Sequence, residues 1–362
     1  MQNISYKDVT ITEVSKLNAS DGESNDYFGR AVAITPDGLN AIVGAHGKNT
    51  SKGVNVGQVY TYNRKTVKDP WVEINTIQVS NGEPYIWFGS SVAISDDGLV
   101  AMVGAYDKTY KNSKSSGQVY TYKRKSTTSS WVEVNTLRAN NEEALIRFGI
   151  SVAMTSDGLV AMVGAIYEKY LNLPNTGQVY TYKRDSIDDE WVEVSKLIAS
   201  DASAFDHFGI SISMTSDGLM AMVGASGKNF MCKDEGQVYT YRRKSINDEW
   251  MEVNKLQAKN SICDNQFGVS VALVSNGLLA FVGAPGYNSY SGHVYVYKLN
   301  TENDAWEEIS IIHTKYAIPS SYYGISIAIA HESNTVLIGA SGKNISSGTH
   351  AGQVYDYKLY ID

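Results

Sequence analysis

Cysteine, proline and long apolar runs are scarce in this sequence. Only 2 cysteines and 6 prolines occur among its 362 residues. Two thiols cannot build the disulfide framework that holds small secreted domains together, so packing must hold the core. No apolar run approaches the 18 or more residues of a membrane-spanning helix, and we expect no membrane insertion.

Positive charge is also in short supply. The 31 Lys and Arg residues stand against 38 Asp and Glu residues, which gives a net charge of −7. Nucleic acids and anionic membrane surfaces bind basic faces, so we expect no nucleic-acid partner. The first residues, MQNISYKDVT, lack the basic region and the apolar stretch of a secretory signal. Export by that route therefore requires that a signal has already been removed.

A repeat organises the chain from end to end. An aromatic residue followed by glycine returns at intervals of 56 to 60 residues, a period typical of closed or stacked repeat architectures. The six pairs are Phe28-Gly29, Phe88-Gly89, Phe148-Gly149, Phe208-Gly209, Phe267-Gly268 and Tyr323-Gly324.

Each repeat contains four strand-like runs. In the third repeat these are 149–155, 159–165, 177–184 and a run that begins at Trp191. Asp157-Gly158 separates the first two runs and supplies the positive φ of a tight hairpin turn. The second run is apolar throughout, which is typical of a strand buried on both faces. One four-stranded antiparallel sheet of this size cannot bury its own faces, so it must stack on its copies.

The chain ends predict how the stack closes. The sixth repeat stops after its third run, and residues 7–18 resemble the fourth run of a repeat. Pairing 7–18 with 352–359 completes a sixth sheet and leaves no exposed edge. We therefore predict an all-β, six-bladed β-propeller in a single domain, 1–362, with an open solenoid as the rival. The expected blades are 28–79, 88–138, 148–198, 208–257, 267–313, and 323–362 plus 7–18.

The repeat Phe-Gly, Ser-Val-Ala, Val-Gly-Ala, Gly-Gln-Val-Tyr resembles the FG-GAP repeat of integrin α-subunit propellers and of lectin-like and microbial propellers. The resemblance implies a scaffold that hosts adhesion, glycan binding or assembly. Integrin heads have seven blades, so their ligand site does not transfer. Turns such as Asp37-Gly38 carry one or two carboxylates, too few for the calcium loops of many such repeats, and we expect no metal.

Catalytic signatures are missing as well. The six histidines show no recurring metal-ligand spacing, and neither a Gly-x-Ser-x-Gly motif nor a phosphate-binding loop occurs. The blades lack the Ser-x-Asp-x-Gly-x-Thr-Trp pattern of sialidases. We expect no enzyme and no cofactor.

Function is expected in residues that the blades do not share. Antiparallel alternation puts the second-to-third and fourth-to-first connections of every blade on one face, here called the loop-rich face. Non-repeated aromatic residues in these connections suit sugar stacking or a protein partner, although they also suit folding of their own loops. They are Tyr85, Trp87, Tyr106, Tyr110, Tyr167, Tyr170, Phe205, Phe230, Tyr287, Tyr290 and Tyr322.

Three functions remain open. The first is a recognition or adhesion module that binds a glycan or a protein, outside the cell or on a particle surface. The second is a structural component of a virion or surface assembly, and the third is a glycoside hydrolase-like enzyme.

Three smaller features complete the sequence predictions. Cys232 and Cys263 fall in loops of the loop-rich face where they can meet, but with so few cysteines we expect free thiols. The acidic segment 21–26 could hold a cation, but its residue order fits no known cation-binding loop, and we expect it to be solvated. On the opposite face we expect solvated hairpin charges, with an acidic docking partner as the alternative, at 63–65, 123–125, 183–184 and 242–244.

Overall fold

The computed structural model confirms the predicted architecture. Six antiparallel sheets of four strands surround a central axis, and the first strand of each sheet contacts the first strands of both neighbours. The structure describes residues 9–109, 115–139, 145–260, 262–313 and 318–361.

The blades are given from the axis outward. Blade 1 is β2 (Phe28–Ile34), β3 (Asn40–Ala45), β4 (Gln58–Asn63) and β5 (Val72–Ile77). Blade 2 is β6 (Phe88–Ile94), β7 (Val100–Ala105), β8 (Gln118–Lys123) and β9 (Val132–Leu137). Blade 3 is β10 (Phe148–Met154), β11 (Val160–Ala165), β12 (Gln178–Lys183) and β13 (Val192–Leu197).

The second half follows the same order. Blade 4 is β14 (Phe208–Met214), β15 (Met220–Ala225), β16 (Gln237–Arg242) and β17 (Met251–Leu256). Blade 5 is β18 (Ser270–Leu273), β19 (Leu279–Ala284), a helical turn α1 (Tyr287–Tyr290), β20 (His293–Asn300) and β21 (Ala305–Ile312). Blade 6 is β22 (Tyr323–Ala330), β23 (Thr335–Ala340), β24 (Gln353–Ile361) and β1 (Val9–Leu17).

The N-terminal strand closes the ring as predicted. Strand β1 pairs antiparallel with β24, from Val9 opposite Ile361 to Leu17 opposite Val354. The two ends of the chain therefore share blade 6, and its outer edge is made by the first strand of the sequence.

Apolar side chains pack face to face between blades. The buried residues form six clusters, each shared by two neighbouring blades. In blade 3 the buried Phe148 ring meets the edges of Tyr180 and Tyr182 at centroid distances of 5.3 and 6.1 Å. Edge-to-face pairs add about 0.5–1.5 kcal/mol to the apolar burial. The recurring aromatic residues are thus core, and every blade repeats this contact.

Glycines bring the backbones of neighbouring blades into contact. A Cβ on Gly104 of β7 would lie 2.0 Å from the carbonyl oxygen of Gly149 in the next blade. Gly149 itself has φ +88°, a conformation that strains other residues. The Ser91 hydroxyl donates to the same Gly149 oxygen at 2.8 Å. Equivalent glycine pairs occur at all six seams, including Gly339 and Gly29 at the closure.

One buried carboxylate is special to the closing seam. Asp356 of β24 stands where blades 1 to 4 carry threonine. Its Oδ2 accepts from Ser15 Oγ of β1 at 2.9 Å, and from Arg64 Nη1 and Trp71 Nε1 of blade 1, both at 3.0 Å. Asp356 and Arg64 are both almost fully buried. Asp356 therefore connects the N-terminal strand, blade 6 and blade 1.

We predict that Asp356→Ala lowers the free energy of unfolding by about 3–5 kcal/mol, because Arg64 remains buried without its partner. The matched control is Thr240→Ala, at the equivalent position of blade 4, with an expected cost of about 1 kcal/mol. Denaturant unfolding measures both. Equal costs for the two variants would show that Asp356 has no special part in closure.

Candidate functional site

The connections of the loop-rich face lie in pairs. Backbone N–H groups of Tyr85 and Phe88, which lead into blade 2, donate to the carbonyl oxygens of Val54 and Val56 at 3.0 and 2.9 Å. The same pairing joins Phe205 to Pro174 at 2.9 Å between blades 3 and 4. The second-to-third connection of each blade thus supports the connection that follows its fourth strand, as expected for loops on one face.

The three residues that precede each inner strand differ in their exposure to solvent. In the segment before Phe88, Tyr85 is exposed, Ile86 is buried and Trp87 is half-buried. The first and third residues have positive φ in every blade. In the first of these segments the middle residue is Asp26, which is buried and lies 3.1 Å from Lys48 Nζ. The expectation that segment 21–26 is solvated is therefore wrong for Asp26.

Arg30 lines the end of the central channel on the loop-rich face, here called the channel mouth, and the charges of Tyr106 and Arg147 act on it. We call Arg30, His46, Trp87, Tyr106, Arg147 and Tyr167 the axial cluster. The Arg147 guanidinium lies over the rings of Tyr167 and Tyr106, 4.5 and 5.1 Å from their centroids. It also donates to Tyr167 Oη at 3.1 Å, and its Nε lies 3.6 Å from Asp107 Oδ1. The cluster is built from blades 1 to 3, and its residues are not repeated at the equivalent positions of the other three blades.

His46 and Arg30 form the blade 1 side of the cluster. The His46 ring lies 5.0 Å from Trp87 and 5.4 Å from Tyr27. It is buried, its Nδ1 has no partner among the described residues, and burial together with the charge of Arg30 lowers its pKa well below the ordinary value. His46 is thus neutral at neutral pH.

The channel below the mouth is divided. A cavity of about 80 Å³ opens near Arg30 and Ser90, and one of about 180 Å³ lies toward the opposite face near Pro36 and His331. Both cavities share a ring of six β-branched residues, one from each inner strand: Val32, Val92, Val152, Ile212, Val271 and Ile327. This apolar ring separates the axial cluster from the opposite face.

Large apolar side chains stand exposed on the rim of the loop-rich face. Tyr85, Leu145 and Phe205, here called the rim triad, have relative exposures of 56%, 58% and 53%. They occupy equivalent positions before blades 2, 3 and 4, each at a φ of 64–67°. At the same position before blades 5, 6 and 1 stand polar residues, namely Asp264, Ser320 and Asn25.

Cys232 and Cys263 form a disulfide, so the expectation of free thiols is wrong. The two loops meet because they are the paired connections between blades 4 and 5, where Asp264 N donates to Lys233 O at 2.8 Å. Oε2 of the buried Glu235 accepts from three backbone N–H groups of the first loop at 2.7–3.0 Å. This support holds Phe230 and Met231 outward, with exposures of 45% and 95%.

The predicted aromatic residues divide into three groups. Trp87, Tyr106 and Tyr167 belong to the axial cluster, while Tyr85, Phe205 and Phe230 are exposed on the rim. The remaining described ones pack locally: Tyr287 stacks on His293 at 3.7 Å, Tyr290 lies 5.3 Å from Tyr322, and Tyr170 bridges to Leu173 in its own loop. Tyr110 lies outside the described residues.

Several residues of the site were missed from the sequence. Arg30, His46, Arg147 and Leu145 are not among the predicted residues, because the prediction rests on the stacking and anchoring chemistry of Phe, Tyr and Trp. Their signal is positional: each follows or precedes a Phe-Gly or Gly-Ala pair by one to three residues and differs from its counterparts in other blades.

The arginines of the opposite face are structural. Arg184 lies over the Trp191 ring at 4.2 Å and donates from Nε to the carbonyl oxygen of Gly158 at 3.0 Å. The same stacking occurs in blades 1, 2 and 4 at 4.1–4.3 Å. The expectation of solvated charge is wrong for these arginines, and it holds for the exposed Lys65, Lys125 and Lys244.

The aspartates of the inner hairpins form hydrogen bonds within their own turns. Asp37 Oδ1 accepts from Thr35 Oγ1 at 2.5 Å and from Leu39 N at 2.9 Å. Across the described ranges no group of three His, Cys, Asp or Glu residues is placed to hold a metal ion.

Comparisons with known proteins agree on the fold. A model of the FG-GAP repeat matches residues 11–62, 71–122, 131–182 and 191–241. A functionally unknown protein from Desulfotomaculum acetoxidans DSM 771 is similar in structure, with a TM-score of 0.54, 12% identity, and coverage of 98% of this chain and 99% of that one.

The periplasmic gluconolactonase PpgL of Pseudomonas aeruginosa is similar as well, with a TM-score of 0.53, 13% identity, and coverage of 91% of this chain and 87% of that one. At such identities the likeness is one of fold alone. No curated protein matches. Within the described residues, no helix has the length and apolar character to cross a membrane.

A pH prediction follows from the histidine pair beside Tyr287. His293 stands where the other five repeats carry glutamine, and it lies 4.2 Å from the His313 ring. Burial and the neighbouring His313 lower the pKa of His293 to about 4. Between pH 6.5 and 4 the unfolded chain binds a proton that folded His293 does not, so stability falls as the pH falls.

We therefore expect His293→Gln to lose less stability than the unmodified protein between pH 7 and pH 4. The difference in the free energy of unfolding should be at most about 3 kcal/mol, and it should appear as a smaller drop in melting temperature. Other buried histidines keep part of the slope. Calorimetry across this pH range gives the measurement, and parallel profiles for the two proteins would contradict the assignment.

Proposed function

The chain belongs to the FG-GAP repeat family, and we propose that it is a non-catalytic recognition module that binds a glycan or protein partner through the loop-rich face. The rim triad is the observation that carries this proposal. Its three side chains are exposed, so they add little to the core.

The backbone at the rim triad argues in the same direction. Positive φ costs bulky residues about 1–2 kcal/mol and is tolerated best by Gly, Asn and Asp. Asn25 and Asp264 meet that preference at two equivalent positions, whereas Tyr85, Leu145 and Phe205 do not. Neither local conformation nor folding explains apolar residues at this position before three successive blades. A partner that covers them does, because it removes their apolar surface from water.

Further observations bear on the proposal. Arg147 and Asp107 of the channel mouth are engaged with each other. We place the protein outside the cell or on a particle surface, where FG-GAP repeats are typical and the Cys232–Cys263 disulfide is stable.

The test replaces the rim triad with the residue that the fold prefers. We expect the combined variant Tyr85→Asn, Leu145→Asn and Phe205→Asn to keep or raise the melting temperature, since positive φ becomes less strained. Binding to a glycan array and to immobilised candidate partner proteins should fall at least tenfold.

The matched control places Asn at the polar rim positions, Asp264 and Ser320, and should bind like the unmodified protein. Full binding by the rim-triad variant would exclude this part of the face as the recognition surface. A chain that binds no glycan on the array would remove the glycan form of the proposal.

A further inference from the structure

The channel mouth carries an arginine that the fold does not need. Arg30 follows Phe28-Gly29, and its counterparts in blades 2 to 6 are Ser90, Ile150, Ile210, Val269 and Ile325. Three blades thus have isoleucine in the same place, and the inner strands form equally well around it. The guanidinium of Arg30 must have another use.

No carboxylate neutralises Arg30 within the described residues. The ionisable groups whose charges act on it are Tyr106 and Arg147, and the second of these has the same sign. Asp107 is the carboxylate of the mouth, and it lies beside Arg147 at 3.6 Å. With His46 neutral, two guanidiniums face one carboxylate. A half-buried guanidinium in this setting favours an anionic ligand group.

A second polar group is also without a partner. His46 is about nine-tenths buried, and its Nδ1 has no hydrogen-bond partner among the described residues. His46 follows Ala45, which pairs with Phe28 two residues before Arg30, and the charge of Arg30 acts on His46. His46 and Arg30 therefore lie at the same end of blade 1, where Arg30 lines the cavity.

The shape of the mouth limits what can enter. The space beside Arg30 is about 80 Å³ and is closed below by the six β-branched residues of the inner strands. It accommodates one terminal group and excludes a helix or a strand. The rings of Trp87, Tyr106 and Tyr167 do not line this space; they lie in the connections of the loop-rich face, where they contact His46 and Arg147. Such rings offer apolar faces with polar edges and suit a sugar ring that stands outside the cavity.

We propose that the channel mouth binds the carboxylate of a terminal acidic sugar, with Arg30 as the charged ligand group and the rings of the axial cluster against the pyranose. Paired N–H donors of one guanidinium match the two oxygens of a carboxylate. This site deepens the proposed recognition function and rests on it, since it gives the loop-rich face an acidic glycan as partner.

Calorimetric titration of the full chain with glucuronate tests the site. Glucose serves as the matched neutral sugar and acetate as the carboxylate without a ring. We expect glucuronate to bind at least tenfold more tightly than either. Arg30→Ile, which installs the residue of blades 3, 4 and 6, should fold with an unchanged melting temperature and weaken glucuronate binding by about 10- to 100-fold. Lys65→Gln removes one positive charge from the opposite face and should change nothing.

Several results would overturn the proposal. They are equal binding of glucose and glucuronate, full affinity in Arg30→Ile, or stronger Arg30-dependent binding by a glutamate-rich peptide, which would make the ligand a protein carboxylate. If the rim-triad variant loses its partner while glucuronate never binds, the acidic-sugar site fails and the recognition function stands. If neither variant affects any binding, both fail.

Discussion

Backbone contact between glycines of neighbouring blades is the constraint on which this structure depends. At each seam a glycine of the second strand lies against the carbonyl oxygen of the Phe-Gly glycine in the next blade, at a distance that no Cβ could share. At five of the six seams a serine hydroxyl bonds to the same oxygen at 2.6–2.8 Å. The first seam has Ala31 instead. The repeated Gly-Ala and Phe-Gly pairs are therefore explained by packing.

The same contact fixes the location of the site. Close seams hold the six inner strands around a narrow channel, and the residues on either side of each Phe-Gly pair must then surround its mouth. Arg30 follows such a pair, while Trp87 and Arg147 precede one. Their side chains differ between blades because the seam restrains only the backbone there. The residues of the site are thus neighbours of the seam residues in sequence, but their side chains can vary without changing the seam.

The fold could be predicted because its signals are periodic and local. The runs predicted for the third repeat differ from β10 to β13 by a single residue at their ends. The site could be predicted only in part. The sequence does not reveal the positive φ of the residues before Phe88 and Phe208. It therefore could not distinguish the exposed Tyr85 and Phe205 from the half-buried Tyr167. The stacking of Arg184 on Trp191 could not be predicted, because the two residues lie on either side of a turn and their contact depends on three-dimensional register.

The asymmetry of the loop-rich face connects the two proposals. The rim triad lies before blades 2, 3 and 4, and the axial cluster is built from blades 1, 2 and 3, whereas the positions equivalent to the rim triad before blades 5, 6 and 1 carry polar residues. A ligand centred on the axis would meet all blades alike and would not require this bias. A partner that lies across one side of the disc meets both features: its body covers the apolar rim, and its acidic end reaches Arg30 at the mouth. Affinity would then come mainly from the rim and selectivity from the charge at the axis, because apolar burial is nondirectional and an arginine–carboxylate pair is not.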